Sequence, residues 1–216
     1  TTIKAKELIE SGKLGSVLGV KGIVTWRRSE HYYAGSGWRG KLATEGGGVL
    51  INQAIHTLDL MQWFAGGVKE VKGHVDTRLL KDVIEVEDTA DATLYFNNGG
   101  TGIFYATNCH TTNAPVELEI HCEKGTLRIM DSELILIQNG QKECIERDFC
   151  GGGEKAYWGE SHKKLIEQFY RCVTTQTDDY ITIREGIEAL KIIHGIYRSS
   201  DENGEKIAIC SKVRDE

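Results

Sequence analysis

The sequence predicts an α+β fold in one domain: a mainly antiparallel open sheet with helices packed on one face. Three observations carry this. Strict alternation marks half-buried strands in the middle of the chain, turn signals separate them at meander spacing, and helical periodicity returns at both ends. Val116, Leu118, Ile120 and Cys122 alternate with Glu117, Glu119 and His121, as Ala90, Ala92, Leu94 and Phe96 do with Asp91, Thr93 and Tyr95. Asn97-Asn98-Gly99-Gly100, Glu123-Lys124-Gly125 and Asn139-Gly140 supply the turns.

In chain order, Thr2 to Glu10 reads as a helix and Val17 to Trp26, rich in Val, as a strand. Ser29 to Glu45 is a glycine-bearing loop, and Val49 to Phe64 reads as a single helix. The sheet then runs from about Val68 to Phe149. Leu165, Phe169 and Cys172 stand at i, i+4, i+7 of the next helix. Ile183, Ile187, Leu190 and Tyr197 stripe another, opened by the capping-box pattern Thr182-x-x-Glu185, with His194 read as core. Lys206 to Cys210 reads as a final strand. No repeat, low-complexity tract or linker divides residues 1–216, so one domain is predicted.

Composition excludes several classes. The 216 residues, 40% hydrophobic, suffice for a substantial core. A formal net charge of -6 argues against nucleic acid, whose phosphates need clustered Lys and Arg. No apolar run approaches the roughly 20 residues of a membrane helix, so neither a membrane protein nor a signal-peptide precursor is expected, and the reduced cysteine thiols predict a cytoplasmic protein. The six cysteines form no C-x-x-C pair and read as reduced core thiols, with no metal site expected.

The chemistry concentrates in Glu45 to Asp59. Three glycines, Gly46, Gly47 and Gly48, open an apolar helix that carries polar residues. At about 100° per residue, Asn52, His56, Asp59 and Trp63 fall within one narrow arc. Burying an amide, an imidazole and a carboxylate costs free energy unless each is hydrogen-bonded. The stripe therefore reads as the lining of a polar site or as an internally paired set.

Gly-Gly-Gly-x-Leu followed by a helix with His-x-x-Asp resembles the C-terminal domain signature of the Gfo/Idh/MocA oxidoreductases, the glucose-fructose oxidoreductase and inositol dehydrogenase group. Glu10-Ser11-Gly12-Lys13-Leu14-Gly15, Trp38-Arg39-Gly40, Tyr157-Trp158-Gly159-Glu160-Ser161-His162 and Tyr197-Arg198-Ser199-Ser200 stand in the family's order. The resemblance implies the substrate domain of an NAD- or NADP-dependent dehydrogenase acting on a secondary alcohol of a sugar, cyclitol or related polyol. It also implies a homodimer or homotetramer formed through the sheet. The family's N-terminal Rossmann domain, with its Glu-Lys-Pro lysine, has no counterpart here, and Ala5 to Ile9 reads as the end of a connecting helix. The chain is thus expected to be a C-terminal piece, inactive alone.

By the same resemblance His56 is the catalytic candidate that contacts the reacting hydroxyl. An imidazole, with an ordinary pKa near about 6.5, can accept that proton. Asn52 stands where the inositol dehydrogenase pattern has aspartate, and an amide can orient a hydroxyl but not exchange a proton. Asp59 could hydrogen-bond the imidazole. Trp38, Arg39, Tyr157, Trp158 and His162 are the substrate-binding candidates, a set of aromatics and polar groups suited to a sugar ring. Most cofactor contacts are expected in the absent domain, with Gly46, Gly47 and Gly48 the candidates for standing beside it.

Gly35-Ser-Gly37-Trp-Arg-Gly40 matches G-x-G-x-x-G but lacks the strand and helix that motif needs, so a loop over the site is predicted. Two other readings remain: a non-catalytic binding or assembly module that keeps the fold, and a metal hydrolase using His56 and Asp59, which lacks a convincing further ligand.

Overall fold

A computed structural model describes residues 1–148 and 161–209. Its elements are, in order, α1 (Thr2–Glu10), β1 (Val17–Thr25), α2 (Glu30–Ala34), α3 (Leu42–Glu45), α4 (Val49–Asn52), α5 (Ile55–Ala65), β2 (Val68–Asp76), β3 (Thr89–Phe96), β4 (Thr101–Thr107), β5 (Glu117–Cys122), β6 (Gly125–Met130), β7 (Glu133–Gln138), β8 (Gln141–Arg147), α6 (Ser161–Thr175), α7 (Ile183–Asp201) and β9 (Ile207–Ala208). The strands form one open sheet in the order β8-β7-β6-β5-β1-β4-β3-β2-β9. The α+β prediction holds, with one refinement. β1 pairs in parallel with β4 and antiparallel with β5, so the sheet is mixed though mostly antiparallel.

Alternation decides which face is covered. Val20 and Val24 of β1 are buried while Lys21 and Ile23 remain partly exposed. α5 lies on the buried face over Gly22, where a Cβ would run into Met61 and Thr57, so only glycine lets the helix come this close. α7 lies on β2. Gly73 N donates to Ser199 Oγ at 3.0 Å and Val75 N to Ser200 Oγ at 3.2 Å. Two serines on a helix thereby satisfy edge amides of β2 beyond the reach of the two-residue β9. The core between sheet and helices includes Leu50, Leu58, Met61, Leu94, Phe104, Ile120, Ile192 and Ile196.

Other differences from the sequence reading are local. The loop from Ser29 to Glu45 contains the short helices α2 and α3. The last strand shrinks to Ile207–Ala208, and Phe149 and Cys210 lie outside the described residues. His194 is exposed rather than core, and in α6 only Cys172 is buried, Leu165 and Phe169 each keeping 46% of their surface. Cys122 and Cys172 are buried thiols, but Cys109 is half-buried and Cys144 exposed. The Thr182–Glu185 capping box forms as predicted at the start of α7. Among the described residues no helix is long and apolar enough to cross a membrane.

Asp88 anchors the loop before β3. Its carboxylate, fully buried, accepts from the amides of Arg78, Leu79 and Leu80 at 2.9–3.1 Å and from the Thr89 hydroxyl at 2.9 Å. Burial pushes its pKa up, but the hydrogen bonds from Arg78, Cys109, Thr89 and Leu79 outweigh it and the net shift is downward. A depressed folded-state pKa contributes stability above the unfolded value and loses it as pH falls through the folded one. Asp88→Asn is expected to cost about 1–3 kcal/mol at pH 7. In urea titrations that gap should close as pH falls below about 4; a gap independent of pH would contradict this account.

Candidate active site

The glycine run is shaped by a residue far along the chain. Glu87, only 6% exposed, accepts from Gly48 N and Leu50 N with its two carboxylate oxygens, both at 3.0 Å. Its carbonyl accepts from Val49 N at 3.0 Å. The Tyr197 hydroxyl, from α7, donates to the same carboxylate at 3.0 Å. Gly48 has to be glycine, because a Cβ there would collide with the Glu87 carbonyl. Gly46 ends α3 in the left-handed region at φ +83°. Burial raises the Glu87 pKa against the pull of the Leu50, Gly48 and Tyr197 hydrogen bonds. Burial and the adjacent carboxylate push the Tyr197 hydroxyl far above its usual range, which keeps it a donor.

The predicted single helix from Val49 to Phe64 is broken. α4 ends at Asn52 and α5 begins at Ile55, with Val49 O accepting from both Gln53 N at 3.2 Å and Ala54 N at 2.9 Å. The second bond spans five residues, a wide turn of the kind that interrupts α-helices near functional sites. Gln53 is drawn into the core, 7% exposed, where its Oε1 accepts from Asn108 Nδ2 at 2.9 Å. The same amide nitrogen donates to the Tyr33 hydroxyl at 3.1 Å. Burial pushes the Tyr33 pKa up to about 12. Asn108 Oδ1 is buried without a partner among the described residues.

The break divides the predicted polar stripe. Asn52 does not meet His56: its Nδ2 donates to Glu45 Oε1 at 2.5 Å, while Gly40 N donates to Glu45 Oε2 at 2.5 Å. His56 is exposed on the first turn of α5, and its imidazole makes no hydrogen bond among the described residues. Asp59 accepts from Gln62 Nε2 at 3.2 Å rather than from the imidazole, although the His56 charge acts on it. Burial raises the Asp59 pKa against both influences. Trp63 belongs to another contact, with Lys6 Nζ 5.0 Å from its ring and donating to its carbonyl at 2.8 Å.

Two of the substrate-binding candidates come together. The Arg39 guanidinium lies 4.3 Å from the Tyr32 ring and 5.0 Å from the Trp38 ring. Tyr32 stands edge-on to Tyr33 at 5.0 Å, which links this group to Asn108 and Gln53. His162 is exposed near the start of α6, and Tyr157 and Trp158 lie outside the described residues. The G-x-G-x-x-G stretch is the connection from α2 to α3, with no strand ahead of it, as the sequence context predicts. Sequence reasoning missed Glu45, Gln53, Glu87 and Asn108. Glu87 and Asp88 carry no motif or periodic signal of their own in the sequence, and their only local mark is the strand that starts directly after them.

The family profile described as the GFO/IDH/MocA C-terminal domain matches residues 2–128. The chain belongs to this family. As a GFO/IDH/MocA domain it is similar to the WlbA dehydrogenase of Bordetella pertussis, solved with NADH and UDP-GlcNAcA: 28% identity, TM-score 0.77, over 98% of this chain and 61% of that one. Levoglucosan dehydrogenase, solved with NADH and levoglucosan, shares the fold at TM-score 0.83 and 21% identity, over 96% of this chain and 63% of that one. The levoglucosan dehydrogenase of Pseudarthrobacter phenanthrenivorans is 25% identical over 145 residues, 57% of this chain. This GFO/IDH/MocA domain spans 37% of that curated relative.

The Glu45 contact explains an asparagine at position 52. An aspartate there would set two carboxylates at hydrogen-bonding distance, and like charges so close raise a pKa and favour one shared proton. Asn52→Asp is therefore expected to destabilise by about 1–3 kcal/mol at pH 7. A raised carboxyl pKa makes the loss fade as pH falls toward about 5, when one group takes a proton. Adding Glu45→Gln should restore stability at pH 7 by exchanging the two roles. Thermal unfolding of the single and double variants checks this, and no recovery in the double variant would contradict it.

Proposed function

We propose that this chain is the substrate-binding and catalytic domain of an NAD(P)-dependent oxidoreductase acting on a secondary alcohol of a sugar, cyclitol or related polyol. The observation that supports it best is His56, an exposed imidazole without a hydrogen-bond partner among the described residues, on the first turn of α5. The backbone leading to that turn is held by Glu87 and Gln53. A neutral imidazole held this way can take the proton of a substrate hydroxyl as the carbinol carbon becomes a carbonyl. The partly buried Asp59 favours the imidazolium that forms. Asn52, tied to Glu45, serves as an orienting amide rather than a proton carrier. Trp38 and Arg39 present an aromatic and a cationic surface to the ligand.

Dinucleotide phosphates do not fit the glycine run, because the Glu87 carboxylate already engages the amides of Gly48 and Leu50. A phosphate there would meet a carboxylate instead of free N–H groups. The cofactor is therefore assigned to a separate Rossmann domain, in keeping with NADH in the solved WlbA and levoglucosan dehydrogenases. NAD or NADP, when bound, supplies the hydride acceptor. In the full-length protein His56→Ala should lower kcat by roughly 10²- to 10⁴-fold, with cofactor affinity nearly unchanged. Wild-type turnover in that variant would favour the non-catalytic binding module.

The uncovered sheet face supports self-association. Ile103 of β4 is 63% exposed and pairs across with Lys21, which lies 3.0 Å from both Glu117 and Glu119. Ile23 pairs beside it with Tyr105, so apolar and paired charged groups alternate across the face. Such a surface suits an interface between copies of one chain. Sedimentation at micromolar concentration should give a homodimer or homotetramer, and Ile103→Glu should dissociate it. A monomeric wild type would overturn this.

A further inference from the structure

Two arginines converge on one aromatic ring. The Arg28 guanidinium lies 4.9 Å from the Trp26 ring and 5.2 Å from the Tyr32 ring, and Arg39 approaches the same Tyr32 at 4.3 Å. The Nε atoms of both are buried without a hydrogen-bond partner. Arg28 spends Nη1 on neutral oxygens, the Arg27 carbonyl at 2.8 Å and Asn113 Oδ1 at 3.0 Å. The Arg39 guanidinium has no acceptor, and neither arginine has a carboxylate partner, among the described residues. The nearby acids are committed elsewhere: Glu45 to Gly40 and Asn52, and Glu85 to Leu42 N at 3.1 Å.

Two partly desolvated guanidinium groups with no counter-ion among the described residues, in a chain of net charge -6, call for an external anion. Their planar forks match a carboxylate or phosphate, and aromatic stacking holds them oriented beforehand. The pair is tied to the candidate active site. Arg28 N donates to Asn108 O at 2.9 Å, and the Asn108 amide bonds Tyr33 and Gln53, the latter three residues before His56.

We infer that Arg28 and Arg39 form an anion subsite, so that the substrate is an acidic sugar, carrying a carboxylate or phosphate besides the hydroxyl that His56 serves. The inference rests on the sugar-oxidoreductase reading, and it narrows it.

The test uses the full-length protein at low salt, with calorimetric binding of glucuronate, glucose 6-phosphate and, as neutral control, glucose. One or both anions should bind about 10- to 100-fold more tightly than glucose, the worth of one or two charge-assisted hydrogen bonds. Preference for glucuronate identifies a carboxylate and preference for glucose 6-phosphate a phosphate. Arg39→Gln and Arg28→Gln should each erase most of the discrimination between the anionic sugars and glucose. Arg39→Lys, which keeps the charge and alters the packing least, should retain part of it and covers the case in which a glutamine variant does not fold. Equal binding of all three sugars, or undiminished discrimination in both glutamine variants, would overturn the subsite. Anion discrimination that persists in a protein oxidising no sugar would sink the oxidoreductase reading and leave the subsite standing. Sugar oxidation without discrimination would do the reverse.

Discussion

Glu87 stands where three parts of the chain meet: the approach to β3, the first turn of α4 and the last turns of α7. Its buried carboxylate takes two amides from α4 and the Tyr197 hydroxyl from α7. A carboxylate out of water is costly unless its lone pairs are filled, and here three donors fill them. The dependence runs both ways. Without the carboxylate, each of those donors would be left unpaired at a cost of about 1–3 kcal/mol. Everything the glycine run positions, from Gly48 to the turn before His56, inherits its place from this contact.

Asn108 supplies the second constraint. By holding Gln53 in the core, it favours the wide turn in which Val49 O serves two amides, and the helix restarts in a different phase. The restart puts His56 at the surface while Thr57, Leu58 and Met61 go inward, Thr57 and Met61 against Gly22 of β1. A continuous helix could not bury Gln53 and keep the same phase for His56. The site is thus built by interrupting regular structure, not by decorating it.

Those two constraints also explain what the sequence could tell. Alternation in β3 and β5, the Thr182 capping box and the turn signals are local, and each was legible. The phase of the polar stripe was not, because a helical wheel assumes an unbroken rise of about 100° per residue. What breaks it acts across long separations: Glu87 lies 39 residues from Gly48, and Asn108 lies 55 from Gln53. The parallel pairing of β1 with β4 is equally nonlocal and leaves no periodic trace. Tyr197, Ser199 and Ser200, part of the family likeness, prove to be joints, holding Glu87 and the edge of β2.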